Sequence, residues 1–321
     1  MKTVKEIDIR DIGGYRIGNA EYTEAATGCT VILADEKTVC GCDIRGGAPA
    51  TRENALLNPL AANDSVNAVV LSGGSAFGLD ASSGVMKYLE ERDTGFPTAY
   101  GKVPIVVSSC LFDLGIGSAK VRPDAALGYQ ACVNAEDPSL FAQGSHGAGC
   151  GATVGKILGP SYTMKSGLGV YAVQLGDLLV GAIVAVNAAG EIYDENTGKT
   201  IAGVYDREKN EYLNASECLY ALSANPDLFN TNTTIGAIIT NADFNKTELA
   251  KIAGMAHNGF ARAIRPVHTM FDGDSIYVLA NGKVKADINT VGTLAADVMA
   301  QAIRRAGTNP GNSYGLPCRN V

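Results

Sequence analysis

The chain has 321 residues, 46% hydrophobic and 18% charged, with a mean hydropathy of +0.06. That is enough apolar material for one large domain or two ordinary ones. The formal net charge of −7, with no basic tail or Lys/Arg block, gives nucleic acids and acidic membranes no electrostatic purchase. The longest clean apolar run, "LLVGAIVAV" at 178–186, is too short to cross a bilayer as a helix. "MKTVKEIDIRDIGGYRIG" lacks a signal-peptide core, so the expectation is a soluble, cytoplasmic protein with no nucleic-acid or membrane partner. With 38 glycines, no tryptophan and 7% aromatics, its core must be Ala, Val, Ile and Leu, with backbones packed closely at glycines.

Taken in chain order, "TVILADEKTVCGCDI" (30–44) predicts a hairpin around a polar Asp-Glu-Lys turn. "LDASSGVMKYLEER" (79–92) has helical spacing, "PIVVSS" reads as a short strand, and "PDAALGYQACVNA" as a helix opened by Pro-Asp. Residues 166–194 read as two long strands turning at Leu175-Gly176-Asp177. Residues 195–232 are polar and turn-rich, and form the best linker candidate. A strand (234–240), a helix (246–264), a strand (275–280) and a last helix (288–305) complete the chain. Strands joined directly to one another, with helices in both halves, predict an α+β protein whose sheets are largely antiparallel.

Several familiar motifs fail. "GAGCGATVGKI" (147–157) has Cys150 where a phosphate loop needs glycine and Ile157 where it needs a hydroxyl. "SGGSAFGLD" (72–80) has Phe77 where a hydrolase elbow needs glycine, and "FDGDSI" (271–276) has Ile276 where a calcium loop needs oxygen. The eight cysteines sit in hydrophobic surroundings and read as reduced core residues. Cys40 and Cys42 have no second pair nearby, and His146, His257 and His268 are far apart in sequence. No metal and no cofactor is expected.

Seven segments, in order, carry a resemblance: "TGCTVIL" (27–33), "RGGAPATRE" (45–53), "LSGGSAFGLD" (71–80), "GAGCGATVGK" (147–156), "VAVNAAGEI" (184–192), "NTTIGAIITNA" (232–242) and "FDGDSI". Together they resemble the peptidase family of the L-aminopeptidase D-amidase/D-esterase, which includes the β-peptidyl aminopeptidases and nylon-oligomer hydrolases. The resemblance spans essentially the whole chain. It implies a four-layer α-β-β-α sandwich and a single catalytic domain over 1–321. It also implies self-cleavage between Asn232 and Thr233 into 1–232 and 233–321, and a homo-tetramer of cleaved protomers. Thr233 would be the N-terminal nucleophile. Asp272 and Asp274 match the aspartate pair of the nylon-oligomer hydrolases; the Ser-type peptidases carry Ser/Glu there, so this chain is closer to the Thr-type branch. Lys156 and Asn187 fit the remaining polar positions, and Thr269 is an accessory hydrogen-bonding candidate.

These residue types suit the chemistry. A Thr hydroxyl is a weak nucleophile that needs a neighbouring base, and a freed α-amine, with an ordinary pKa of about 7.7–8.0, can serve as that base. The two aspartates would orient the amine, Lys156 would lower the nucleophile's pKa or hold substrate, and Asn187 would donate to an oxyanion. The expected substrates are short peptides or amides with a free amino terminus. An oligoamide hydrolase and an acyl transferase are the alternatives, although the Lys-Gly-Thr-Met junction of the arginine-pathway acetyltransferases is absent. An uncleaved binding protein is the alternative of another class. The 72–80 and 108–118 loops are expected to line the pocket.

Overall fold

A computed structural model describes residues 3–222, 232–308 and 310–319. Ten strands form one hydrogen-bonded sheet. They are β1 (Val4–Ile7), β2 (Tyr15–Tyr22), β3 (Thr27–Ile44), β4 (Ala50–Arg52), β5 (Ser65–Ser72), β6 (Val106–Cys110), β7 (Leu168–Leu175), β8 (Leu178–Asn187), β9 (Thr233–Ala242) and β10 (Ser275–Val284). The helices are α1 (Ala81–Glu90), α2 (Ala125–Asn134), α3 (Ala215–Leu222), α4 (Lys246–Ala261) and α5 (Ile288–Thr308). The strand order is β1-β7-β8-β9-β10-β3-β5-β6-β4, with β2 also on β3. The β9/β10 and β5/β6 pairs run parallel, and the other pairings in this sheet are antiparallel.

β3 is where the sequence expectation fails. Residues 30–44 are not a hairpin: the chain runs straight through as one 18-residue strand. Its first half pairs with β2 (Tyr15↔Ala34 to Tyr22↔Thr27), and its second half with β10 (Val39↔Ala280 to Ile44↔Ser275). The register against β5 shifts between Leu33 and Thr38, an irregularity of the kind that bends a strand. The polar stretch that resembles a turn is this irregularity; Asp35 lies exposed there and pairs with Arg16 (2.6 Å).

Three stacked apolar layers make the four-layer architecture. Side chains on strands alternate faces, and β8 to β10 obey this closely. Val184, Ile238 and Val278 pack against Ile252 and Phe260 of α4 and Met299 and Ile303 of α5. Their alternates Ile183, Ile239 and Tyr277 face Ile32, Val69 and Leu71 across the middle. On the far side Val31, Leu33 and Val70 meet Val85 and Leu89 of α1 and Leu127 and Ala131 of α2. The result is an α-β-β-α sandwich whose two β layers are halves of one continuous sheet. Central strands covered on both faces explain the unbroken apolar run at 178–186.

The 195–232 stretch is not a linker over its described part. Residues Lys199–Ala202 pair with Glu191–Asp194, Tyr205–Asp206 pairs with Glu211–Tyr212, and Val204 and Ala215 pack against Ile157 and Ala189. Its turn-rich composition comes from tight turns closed by side chains: Asp206 accepts from the backbone of Glu208 (3.0 Å) and Lys209 (3.1 Å). The rest of that stretch, 223–231, lies outside the described residues. The 166–194 stretch holds three strands: β7 and β8 turn at Gly176-Asp177, then Glu191–Asp194 joins a separate small sheet. No described helix is long and apolar enough to cross a membrane.

α1 and α2 approach backbone to backbone at two glycines. A Cβ on Gly84 would lie 1.7 Å from Ala125 O, and one on Gly128 1.9 Å from Ala81 O. Gly128→Val should therefore destabilise by about 3 kcal/mol, the upper end for overpacking, read as a lower urea midpoint. The same change at exposed Gln130 should move the midpoint little.

Candidate active site

β9 enters the sheet between β8 and β10, and its first residue sets the site. Thr233 is the cross-strand partner of Asn187, the last residue of β8. On the other side the parallel pairing with β10 is extended by a bridge between Asn232 and Asp272. Gly273 is thereby laid against the junction: its N–H lies 3.2 Å from both Asn232 O and Thr233 Oγ1. Thr233 Oγ1 in turn donates to the carbonyl oxygen of Asn232, the peptide that precedes it. A Cβ at 273 would sit 2.8 Å from Ala48 O and 2.9 Å from Thr233 Oγ1, so only glycine fits between the two aspartates.

The aspartates are buried and differently held. Asp274 Oδ1 accepts from Thr234 N (2.7 Å), and its Oδ2 from His268 N (3.1 Å) and Nδ1 (2.8 Å). Asp272 Oδ2 accepts from Thr269 N (2.9 Å) and Oγ1 (2.5 Å). Thr269 is therefore Asp272's hydrogen-bonding partner. Burial, and then the neighbouring charge of Asp274, push the Asp272 carboxyl up to about 6, against the opposing pull of Thr269 and Lys156. Burial pushes the Lys156 ammonium down to about 7, while Asp272 and Asp113 favour its charged form.

Lys156 and Asn187 arrive by the opposite edge. Lys156 Nζ donates to Asn187 O (2.9 Å). The Asn187 side chain is fully buried and clamped: Oδ1 accepts from Thr153 N (3.0 Å) and Oγ1 (3.3 Å), and Nδ2 donates to Phe112 O (2.7 Å). In this uncleaved chain one Asn187 N–H thus already has an acceptor. Beside Lys156 opens a cleft of about 230 Å³, walled chiefly by Phe112, Ile116, Pro160 and Leu316, with Asp113 and Thr153. A groove of about 640 Å³ lies elsewhere, and its walls contain none of these residues. The 108–118 loop lines the cleft as expected, but 72–80 does not. It stands one step behind, where Gly74 N donates to Asp113 Oδ1 (2.7 Å).

Thr233, Asn232, Asn187, Lys156, Asp272, Asp274 and Thr269 thus form one connected cluster. The residues that sequence reasoning missed are His268, the Gly273 N–H, Thr153 and the buried Asp113. His268 had a signal: it stands in "HTMFDGD", six residues ahead of Asp274.

The four-layer α-β-β-α sandwich is comparable to the N-terminal-nucleophile hydrolase fold. The fold matches that of the L-aminopeptidase D-Ala-esterase/amidase from Ochrobactrum anthropi, itself described as a variant of that hydrolase fold. The TM-score is 0.67 at 17% identity, over 92% of this chain and 84% of that one. The chain belongs to peptidase family S58, which matches residues 8–309. Among relatives, an uncharacterized aminopeptidase of Mycobacterium tuberculosis (strain H37Rv) is 37% identical over 96% of both chains. The 6-aminohexanoate-oligomer endohydrolase of Paenarthrobacter ureafaciens is 32% identical over 92% of this chain and 85% of that one.

The elevated Asp272 pKa has a sign that can be tested. Its folded value of about 6 lies above the unfolded value of about 3.9. The protonated form therefore stabilises fully below pH about 4, and that contribution is lost as pH rises through about 6. In an uncut Thr233→Ala background, adding Asp272→Asn should give a stability gain that grows by up to about 3 kcal/mol between pH 4 and 6.5. A difference that stays flat across that range in urea titrations would refute the assignment.

Proposed function

We propose that this protein is a self-processing hydrolase whose nucleophile is Thr233, freed by cleavage of its own Asn232–Thr233 bond. The observation that carries the reading is the contact of Thr233 Oγ1 with the Asn232 carbonyl, with Gly273 N–H 3.2 Å from both oxygens. Attack of Oγ on the Asn232 carbonyl carbon makes a tetrahedral oxyanion, and Gly273 N–H is the donor beside it. Collapse breaks the C–N bond and moves the proton of Oγ to the leaving nitrogen, giving an ester and a free α-amine. Water then hydrolyses the ester. Because the reacting groups are adjacent in one buried chain, the entropic part of the barrier is small.

In the mature enzyme the Thr233 amine takes the proton of its own hydroxyl as that oxygen attacks a substrate amide, forming an acyl-threonine. Asp272 and Asp274 orient the amine and favour its protonated form. Asn187 supplies the oxyanion donor once Phe112 O gives way, and Lys156 adds positive charge at the cleft. The relative named an aminopeptidase, at 37% identity, supports short peptides or amides with a free amino terminus as substrates. The 32% match to the oligomer endohydrolase favours an oligoamide as the second reading. An acyl-threonine can also be intercepted by an amine, so acyl transfer belongs to the same reading. The working form is a cytoplasmic homo-tetramer of cleaved protomers.

Intact mass of fresh protein under denaturing conditions, with N-terminal sequencing, tests this directly. A small fragment beginning Thr-Thr-Ile-Gly-Ala is expected, with Thr233→Ala uncut and inactive. Asn187→Ala should lower kcat about 100- to 1000-fold, the usual effect of losing an oxyanion donor. A full-length chain that stays whole after prolonged incubation would leave a non-catalytic binding protein as the better reading.

A further inference from the structure

Asp274 is gripped from both ends. One carboxylate oxygen holds the N–H of Thr234, the residue after the nucleophile, at 2.7 Å. The other takes two donors from a single residue, the backbone N–H (3.1 Å) and ring Nδ1 (2.8 Å) of His268. His268 delivers both from φ +59°, the left-handed region that few residues other than glycine enter, histidine being among the more frequent of those. Non-glycine residues held there concentrate at functional sites.

Asp274 Oδ2 accepts the His268 backbone N–H, and ring Nδ1 stands beside that bond on the same oxygen. Phe260 lies stacked on the His268 ring at 5.7 Å between centroids, and His257 meets it edge-on at 4.7 Å. His257 donates from Nε2 to the carbonyl of Asp43 (3.0 Å), and burial holds it well below the ordinary histidine range, at about 4, so it brings no second positive charge. The charged and titratable groups facing this spot are Asp272 and Asp274 from the loop, His257 from α4, and Asp43 and Arg45 from the end of β3. Lys156 acts on it through Asp272. The Arg45 side chain is taken up by Asp43 (2.8 Å) and Gly254 O (2.7 Å).

We propose that His268 is a positioning residue of the nucleophile: through Asp274 it anchors the start of β9, so that Thr233 Oγ1 stays on the Asn232 carbonyl. This rests on the self-processing reading above. A side chain that merely filled space beside Phe260 would need neither the left-handed backbone nor a second donor on the same oxygen.

The test is the rate of self-cleavage of freshly made protein, followed by mass from pH 5 to 8. It compares the wild type with His268→Ala, His268→Asn and His268→Gln. Asn tolerates the left-handed region and its amide nitrogen reaches the place of Nδ1; Gln puts its donor farther out. His268→Ala should slow cleavage at least about 10-fold, since the start of β9 loses its anchor through Asp274. His268→Asn should restore most of the rate, and His268→Gln should not. Equal slowing in all three, or wild-type rates in all three, would overturn the proposal. If His268→Ala does not fold, the Asn-against-Gln comparison decides alone. A wild type that never cuts would defeat the processing reading, and this one with it; a wild type that cuts alongside indifferent variants would defeat this one only.

Discussion

Everything at the candidate site depends on one register: β9 seated between β8 and β10 so that its first residue faces Asn187 on one side and Gly273 on the other. A one-residue slip would turn Ile235, Ala237 and Ile239 out of the central layer and Ile238 into it. The strand is buried on both faces, so such a slip is costly, and the apolar pattern of the strand holds Thr233 in place. The geometry at Thr233 is a by-product of core packing. This is why its hydroxyl can stand so firmly against its own preceding carbonyl.

The glycine-rich segment 147–156 acquires its explanation at the same edge. It is no phosphate loop, because its amides and its nearby lysines are occupied by the protein itself. The fully buried Lys165 donates to Gly149 O (3.1 Å), Ala152 O (3.0 Å) and Ser166 O. Burial, against the opposing pull of Cys150, Asp113 and Cys318, pushes its pKa down to about 7, but three carbonyl acceptors need three N–H donors, and only the charged ammonium has them. The acceptors therefore argue for the cation. So tethered, the segment presents Thr153 to Asn187, while Gly155 N and Lys156 N dock on Gly190 O (2.9 Å) and Ala189 O (3.0 Å). The segment thus splints the end of β8.

How far the sequence was legible follows from the range of each interaction. Elements with a local pattern were readable: β9, α4 and α5 fall close to their expected bounds, and so do α1 and α2. The 30–44 error has a physical source. A strand that passes from one β layer to the other must twist and expose a few residues, and exposed Asp and Lys between apolar runs look the same in a hairpin turn. Residues 195–222 fooled the composition argument because their small apolar contacts, Val204 and Ala215 with Ile157 and Ala189, join points far apart in the chain. Asp113 was hidden for a similar reason, and His268 was marked only by its place ahead of the aspartates in "HTMFDGD". Their partners Thr27, Gly74 and Asp274 are set by the fold or by an unusual backbone angle, not by spacing.

Electrostatics gives the proposed reaction a direction. Two buried carboxylates, Asp272 and Asp274, share a neighbourhood with one nearby lysine, and burial first, then the charge of Asp274, lifts Asp272 towards neutrality. Against these carboxylates Lys156 supplies one cation, and a second would balance them. Cleavage on the proposed route would create one where it is wanted: the α-ammonium of Thr233, beside both aspartates. The other new charge, the carboxylate of Asn232, would form directly across the bridge from Asp272. Two like charges in a low-dielectric pocket repel strongly, so the strand end bearing Asn232 is driven out as the amine is drawn in. On the proposed route the same carboxylates would hold the new amine, and the space left by Asn232 would receive the substrate carbonyl.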